Sequence, residues 1–252
     1  MPDPDNGVVY RNAPIVEAII SLTVVFKDGG ADRAAAGVEK AFESRFARRQ
    51  SQDRLNFQVE SHPAQEPKTS LSRRQSGWKF SDEKNERVLQ VLADTFVYSH
   101  LQPYTNWRTF SAEAIELWQT YLKVAEPALV RRIGLRYINR LRLPGGQFEL
   151  SDYLSYFPLT PTAFGTLSGL VSQVQLPQGG GAAPDAVALV TVASEPSQES
   201  GTSAMALDID ISSKLSVRAD DPIVWRALDE FRVRKNRIFE AAITEKLKEA
   251  IR

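Results

Sequence analysis

One stretch, residues 131–144 (RRIGLRYINRLRLP), constrains the fold of this chain more than any other. Read with the two-residue period of a β-strand, it separates into two faces. One face is largely apolar and carries Ile133, Leu135, Tyr137, Asn139, Leu141 and Leu143. The other face carries four arginines: Arg132, Arg136, Arg140 and Arg142. Such a strand belongs to a sheet whose apolar side is packed and whose arginine side meets acidic side chains or an anionic ligand.

Composition excludes several classes of protein. The 252 residues are 42% apolar, enough for one large core or two small ones. Lysine and arginine number 31, as do aspartate and glutamate, so no basic field for nucleic acid surrounds the whole molecule. The absence of cysteine excludes disulfides, thiolate nucleophiles and zinc ribbons. With no apolar run near the ~20 residues of a membrane span and an acidic N-terminus unlike a signal peptide, we expect a cytoplasmic bacterial protein that does not associate with membranes.

The pattern of strands and helices occurs twice along the chain. The first series comprises a strand at 14–26, a helix at 31–49, strands at 55–61, 77–81 and 87–101, and a helix from Ser111 to about Pro127. The second comprises the arginine-lined strand, a short helix or turn at 148–157, strands at 170–176, 186–193 and 205–211, and one long helix opened by Asp221 and Pro222. The polar segment 63–76 is interpreted as an exposed loop.

This order predicts an α+β fold with an antiparallel sheet. We expect it to consist of two similar βαβββα halves, residues 1–128 and 129–252, with long helices packed on one face of the sheet. The halves would form one compact unit or two tightly packed subdomains.

The arginine face has two interpretations. Arg132, Arg136 and Arg140 present forked donors that suit an extended phosphate backbone or an acidic peptide. Alternatively, they pair with acids on other strands, at only ~0–1 kcal/mol for each exposed pair. The acids available for pairing are Glu17, Asp94, Asp208 and Asp210. Pairing is the favoured interpretation for at least two of the four arginines.

Asp208 and Asp210 alternate on a predicted strand and point the same way, so with Glu17 they are candidate oxygen ligands for a metal ion. No histidine accompanies them in the sequence and four arginines are available, which favours ion pairing. We therefore predict no metal site and no cofactor. His62 and His100 lack the serine and acid of a catalytic triad and are interpreted as surface or boundary residues.

Three further polar residues are candidates for binding. Asn139 interrupts the apolar face of its strand, and a buried amide must be hydrogen-bonded, so we expect it to tie down a neighbouring loop or the Lys235-Asn236 segment. The alternative for Asn139 is a ligand contact. Lys235 falls near the apolar stripe of the last helix, where a lysine can extend its ammonium to solvent. Alternatively, Lys235 and Asn236 reach toward the arginine-lined strand or its acids.

Glycines 179–181 are not followed by the lysine and serine or threonine of a phosphate-binding loop. They are interpreted as a flexible hairpin connector.

Three motifs resemble those of one family of uncharacterised bacterial proteins of about this length that occurs sporadically. The motifs are Tyr10-x-x-Ala13-Pro14-Ile15-x-Glu17-Ala18-Ile19, Arg132-x-Gly134-Leu135-Arg136-Tyr137-Ile138-Asn139-Arg140, and Lys235-Asn236-x-Ile238-Phe239-Glu240. The resemblance implies that family-specific contacts lie at Pro14, Glu17, Arg136, Asn139, Lys235 and Asn236, and it implies no established activity. Sporadic occurrence is similar to that of transferred phage-defence and toxin–antitoxin genes.

These observations predict a non-enzymatic recognition protein in phage defence or toxin–antitoxin control. We expect it to bind another protein, rather than nucleic acid, through a face or edge of the sheet. One alternative is a nucleic-acid or nucleotide binder that uses the arginine-lined strand 132–142. A second is an enzyme with an acid–arginine site built from Glu17, Asp208, Asp210 and Arg136.

Overall fold

A computed structural model describes residues 10–27, 37–60, 68–145, 149–156, 169–196 and 202–252, with backbone alone at 53–60 and 68–76. The strands are β1 (Ile15–Val25), β2 (Arg48–Glu60), β3 (Lys68–Ser81), β4 (Arg87–Leu92), β5 (Thr95–Leu101), β6 (Leu129–Pro144), β7 (Val171–Pro177), β8 (Val187–Glu195) and β9 (Thr202–Arg218). The helices are α1 (Trp107–Ala125), α2 (Ile223–Ala242) and α3 (Glu245–Ile251). Residues 37–42 are also helical, and Leu150–Asp152 form a 3-10 turn.

The nine strands form one antiparallel sheet in the order β2-β3-β4-β5-β1-β6-β9-β8-β7. This confirms the predicted α+β class with an antiparallel sheet. β1 and β6 lie side by side at the middle of the sheet, so the same sheet runs through both predicted halves. Among the residues that the structure describes, no helix combines the length and hydrophobicity that a bilayer crossing requires.

The arginine-lined stretch is strand β6, and its two faces differ as the sequence predicts. Ile133, Leu135 and Tyr137 are at most 1% exposed, whereas Arg136 and Arg140 on the other face are partly exposed. The buried residues belong to a core that continues into α2, which packs across β6 and β9. We call the helix-covered side of the sheet the packed side and the opposite side the arginine side.

Local contacts fix where the helices lie. The side chain of Asn106 accepts a hydrogen bond from the Thr109 amide at 2.9 Å, which starts α1 four residues before the predicted Ser111. The Trp107 indole donates to Asp229 of α2 at 2.7 Å, which joins the start of α1 to α2. Deeper in the core, the Trp118 indole donates to the Ala219 carbonyl at 3.2 Å. Hydrogen bonds from indole groups thus tie the start and the interior of α1 to the second half of the chain.

Three predicted elements differ from the structure. The run 87–101 is two strands, β4 and β5, because the chain turns at Ala93 and Asp94. Residues 68–76, predicted to be a loop, begin β3, and the predicted helix 31–49 gives way to β2 at residue 48. The first half therefore contributes five strands and the second half four. The polar composition of residues 68–76 led to the wrong prediction of a loop, because the hydrogen bonds that form a strand come from the backbone and not from the side chains.

The long C-terminal helix predicted from the apolar stripe is interrupted. Ile243 is extended, with φ −114° and ψ 148°, and the Thr244 side chain then caps α3 at 3.4 Å. Ile243 also forms an isolated bridge with Leu154, which keeps both residues buried. Since α3 continues the apolar stripe at Leu247, the periodicity alone did not indicate the break.

Candidate functional site

On the arginine side, Arg136 and Arg140 are paired with acids. Arg136 meets Asp208 on β9 through two parallel bonds, Nε to Oδ1 at 2.9 Å and Nη2 to Oδ2 at 2.6 Å. Arg140 donates from Nε to Glu195 on β8 at 2.7 Å. Both follow from the antiparallel register, which brings acids of β9 and β8 within reach of β6. The prediction that at least two arginines are paired is confirmed.

The other acids of this side lie close to the same arginines. Asp210 is directly opposite Arg136 in the sheet, and burial raises the pKa of its carboxyl, an effect that Arg132 and Arg136 oppose. Glu17 lies on β1 and raises the pKa of Arg136 slightly, after the larger effect of Asp208. Within the described ranges, histidine and acidic side chains form no group of three that could hold a metal ion.

A cleft of about 800 Å³ opens at the end of the packed side. Its walls are residues 10–16, residues 102–107, residues 139–142 of β6, and parts of α2 and α3. Segments from the beginning, middle and end of the chain therefore meet there. Of the predicted binding residues, Asn139, Arg140, Lys235 and Asn236 line this cleft, whereas Glu17, Arg132, Arg136, Asp208 and Asp210 are not among its lining residues.

Lys235 lines the cleft and is 8% exposed. Its Nζ is 3.9 Å from the centre of the Tyr137 ring, a cation–π contact. Among the described residues, none forms a hydrogen bond or ion pair with this ammonium. Burial lowers the pKa of Lys235 to about 7, with a further decrease from nearby Arg232 and an opposing effect from Glu240. Lys235 thus reaches the packed face of β6 and not the acids on its other face.

Arg232 precedes Lys235 by three residues and is also 8% exposed. Residues three apart on a helix are neighbours on its surface, so α2 presents two buried cations to the same cleft. Sequence reasoning did not select Arg232. The available signal was its place, like that of Lys235, among the buried positions of α2.

Asn139 is 2% exposed and donates from Nδ2 to the Leu207 carbonyl of β9 at 2.9 Å. The expectation that it ties down a loop or the Lys235-Asn236 segment was wrong, because a neighbouring strand supplies the acceptor. Near this point the register between β1 and β6 shifts, and the Arg140 amide donates to the Pro14 carbonyl at 2.8 Å. Asn236 is half-buried and lines the cleft.

The segment leading into β1 forms one wall of the cleft and is pinned to the C-terminal helices. The Tyr10 hydroxyl donates to the Glu240 carboxylate at 2.8 Å and 3.0 Å, and burial together with this contact raises the pKa of Tyr10. The Asn12 amide donates to the Ile251 carbonyl at 3.1 Å. Lys248 approaches Glu240 to 3.5 Å as well. The charge of Glu240 is therefore partly satisfied before any ligand binds.

The opposite wall is aromatic. The hydroxyls of Tyr104 and Tyr137 are 2.9 Å apart, and their rings meet edge to face at 5.5 Å. His100 lies 5.7 Å from Tyr104 between ring centres and is 1% exposed, so its interpretation as a surface or boundary residue was wrong. Burial lowers the pKa of His100, with a smaller contribution from Arg87.

The glycine loop predicted as a hairpin connector does join β7 to β8, and it is held against α2. The Ala182 amide donates to the Glu230 carboxylate at 3.0 Å, and Arg234 donates to the Gly180 carbonyl at 2.8 Å. Gly181 has φ +60°, and a Cβ there would lie within 2.3 Å of the Glu230 carboxylate. These contacts help to hold the helix that carries Arg232 and Lys235.

The structure thus places the predicted residues at two locations, a paired network on the arginine side and a cleft with an unpaired lysine on the packed side. Comparison with models of known protein families finds no match, and comparison with curated proteins finds none either.

Proposed function

We propose that this protein binds a small ligand through a carboxylate or phosphate group in the cleft, with Lys235 and Arg232 as the groups that contact the anion. The observation that carries the proposal is the unpaired Lys235. A buried ammonium without a hydrogen bond or an ion pair destabilises a folded protein, and such groups are concentrated at functional sites. An anionic ligand would supply the missing partner.

The charges around the cleft support an anion. Five cationic residues contribute to the described lining: Arg11, Arg140, Arg142, Arg232 and Lys235. The acidic residue in that described lining is Glu240, whose carboxylate already accepts the hydrogen bond of the Tyr10 hydroxyl. Of these cations, Arg140 is paired to Glu195, whereas Lys235 has no ion-pair partner among the described residues. An anion entering the cleft would therefore meet a favourable potential.

The shape of the cleft supports a small molecule over a polymer. Lys235 lines the cleft and is 8% exposed, so a compact group reaches it more readily than an extended backbone does. The partly exposed rings of Tyr10, Tyr104 and Trp107 offer surfaces for the less polar part of a ligand. The alternative of nucleic acid on the arginine-lined strand is weakened, because Arg136 and Arg140 are already paired with acids.

The proposal can be tested by the change in melting temperature on adding phosphate or lactate, with chloride at matched ionic strength as the reference. We expect a saturable increase that is lost in Lys235→Met. Lys123→Met removes an exposed lysine of α1 and serves as the matched control. An equal increase in Lys235→Met, or no increase beyond that of chloride in the unsubstituted protein, would contradict the proposal.

Recognition of a partner protein is a second candidate, supported by the edge strand β7. Among the described strands it pairs with β8 alone, it carries no charged residue, and it exposes Val171 by 79% and Leu176 by 37%. Uncharged edges of this kind accept an added strand. Under this proposal Val174→Lys would abolish capture of a partner from the host, whether in phage defence or toxin–antitoxin control. Unchanged capture would contradict it.

We also propose that the two halves arose by duplication. Each half begins with a central strand, β1 or β6, that pairs on its outer side with the last strand of the same half, β5 or β9. A folded homodimer of residues 129–252, in which β6 pairs with its own copy, is the expected product of expressing that half. A folded monomer would contradict this proposal.

A further inference from the structure

We propose that Lys235 forms a reversible imine with the carbonyl carbon of a 2-oxo acid bound in the cleft. This inference rests on the proposed anion site and adds a covalent activity to it. It names the ligand class: a carboxylate with a ketone or aldehyde on the adjacent carbon.

The surroundings of Lys235 leave its nitrogen available for this reaction. Lys235 as a whole is 8% exposed, and the cleft that it lines provides the access to its amine. In the described part of the chain, the Lys235 nitrogen contacts the face of the Tyr137 ring, and this contact leaves the lone pair of the neutral amine free to react. An amine that is buried but accessible from a cleft, and not bound to a carboxylate, meets the requirements of an imine-forming lysine.

The arrangement of α2 favours a 2-oxo acid over a simple aldehyde. Arg232 lies one turn before Lys235, with the side chains of such a pair starting about 5–6 Å apart. A guanidinium that holds the carboxylate would place the adjacent carbonyl near the neighbouring amine. Carboxylate and carbonyl are one bond apart in a 2-oxo acid, which matches two adjacent groups on one helix face.

Protonation also favours the reaction. Only the neutral amine attacks a carbonyl, and an ordinary lysine is almost entirely protonated at neutral pH. Burial and the neighbouring Arg232 lower the pKa of Lys235 to about 7, so a large fraction of the amine is neutral there. Glu240 has the opposing effect, and its carboxylate is engaged by Tyr10.

The reaction is balanced without an oxidant or a reductant. The lone pair of Lys235 Nζ forms a bond to the carbonyl carbon, and the carbonyl π electrons move to oxygen, which takes up a proton as nitrogen loses one. The resulting hydroxyl accepts a proton from solvent in the open cleft and leaves as water while the C=N bond forms. The protonated imine keeps a positive charge over the Tyr137 ring, where the ammonium lies in the free protein.

The test is reductive trapping with pyruvate and cyanoborohydride at pH 7, read by intact mass and by peptide mapping. We expect one adduct per chain, located at Lys235, formed faster than adducts at exposed lysines such as Lys123. Lys235→Arg keeps a positive charge but cannot form an imine, so it should lose the fast adduct while Lys123→Arg keeps it. Lys235→Met provides a second variant if the larger arginine impairs folding.

Lactate separates this inference from the anion site, because it has the same carboxylate but no carbonyl. Lactate binding without a fast adduct at Lys235 would overturn the imine and leave the anion site standing. A failure of both would overturn both. A fast adduct at Lys235 whose dependence on pyruvate concentration is unchanged in Arg232→Gln would overturn the assignment of Arg232 to the carboxylate.

Discussion

The two sides of β6 handle positive charge in different ways. On the arginine side, Arg136 and Arg140 are held by Asp208 and Glu195 at 2.6–2.9 Å, and the side chains of both arginines are about 40% exposed. On the packed side, Lys235 has a ring for a neighbour and is 8% exposed. Arg136 and Arg140, which are conspicuous in the sequence, are therefore already neutralised. The number of charges in a segment therefore does not say which of them can bind a ligand.

The energetic consequences differ as well. Half-exposed ion pairs contribute ~0–1 kcal/mol, so the arginine network adds little stability and leaves little charge for a ligand. A buried polar group without a partner costs about 1–3 kcal/mol. The paired arginines therefore need no explanation beyond the fold, whereas the buried and unpaired Lys235 calls for a functional explanation.

The largest expected effect comes from Lys235→Met, which should raise stability and abolish anion binding together. Removing the buried amine should stabilise the protein by about 1–3 kcal/mol near neutral pH. Loss of a charge-assisted contact of about 1.5–3 kcal/mol should weaken lactate binding by roughly 10–100-fold. Urea unfolding and calorimetric titration measure the two changes. A destabilised variant would show that Lys235 is a structural residue.

The stability gain of Lys235→Met should depend on pH. The pKa of Lys235 is lowered from 10.5 to about 7 by folding, so between these values the unfolded chain binds more protons than the folded one. The stability of the unsubstituted protein should therefore rise relative to Lys235→Met as pH increases from 7 toward 10.5. Unfolding curves at pH 6 and pH 10 check this sign, and a constant difference would contradict it.

Lactate affinity should fall by about tenfold between pH 6 and pH 8, because the charged fraction of Lys235 falls by about that factor. Lactate itself stays ionised over this range. The other charged groups of the described lining are arginines and Glu240, and burial raises the pKa of Tyr137. A lactate affinity that calorimetry finds to be independent of pH would show that the charge of Lys235 does not contribute to binding.

A smaller effect, on stability, is expected from Gly181→Ala, which tests whether the glycine loop holds α2 in place. The left-handed backbone at φ +60° costs a residue with a Cβ about 1–2 kcal/mol, and the Glu230 carboxylate would have to move away from the Ala182 amide. Urea midpoints of Gly181→Ala and Gly169→Ala make the comparison, since a Cβ at Gly169 meets no atom within 4 Å. Equal midpoints would mean that the loop does not support α2.

The smallest effect belongs to the arginine side. A double-mutant cycle of Arg136→Gln and Asp208→Asn should give a coupling energy of ~0–1 kcal/mol, because the arginine is 43% exposed. Neither substitution should change lactate binding. A weaker lactate affinity in Arg136→Gln would show that lactate binds on the arginine side and not in the cleft.

Several features of the fold could be predicted from short-range patterns. The alternation along β6 predicted which residues are buried, and the alternation of Asp208 and Asp210 placed both acids on the arginine side. Strand boundaries were less predictable, because the break at Ala93 and Asp94 and the start of β3 depend on pairing with other strands. A backbone hydrogen bond does not depend on the side chain that its residue carries.

The candidate site was predictable only in part. Lys235, Asn236 and Asn139 were selected because polar residues on apolar faces are unusual. Arg232 carries the same signal but was not selected, and no sequence pattern pointed to the aromatic wall. Tyr10 and Glu240 are 230 residues apart in sequence and 2.8 Å apart in space. No local pattern encodes such a distance.

By itself, the sequence determined the class of fold, the two different faces of the central strand β6, and the cluster of four arginines on one of those faces. The tertiary structure alone decided that Arg136 and Arg140 are neutralised and that Lys235 has no ion-pair partner among the described residues. The physical reason is that ion pairing depends on distances of a few ångströms between strands and helices brought together by packing, whereas a strand's two faces follow from the period of its own backbone.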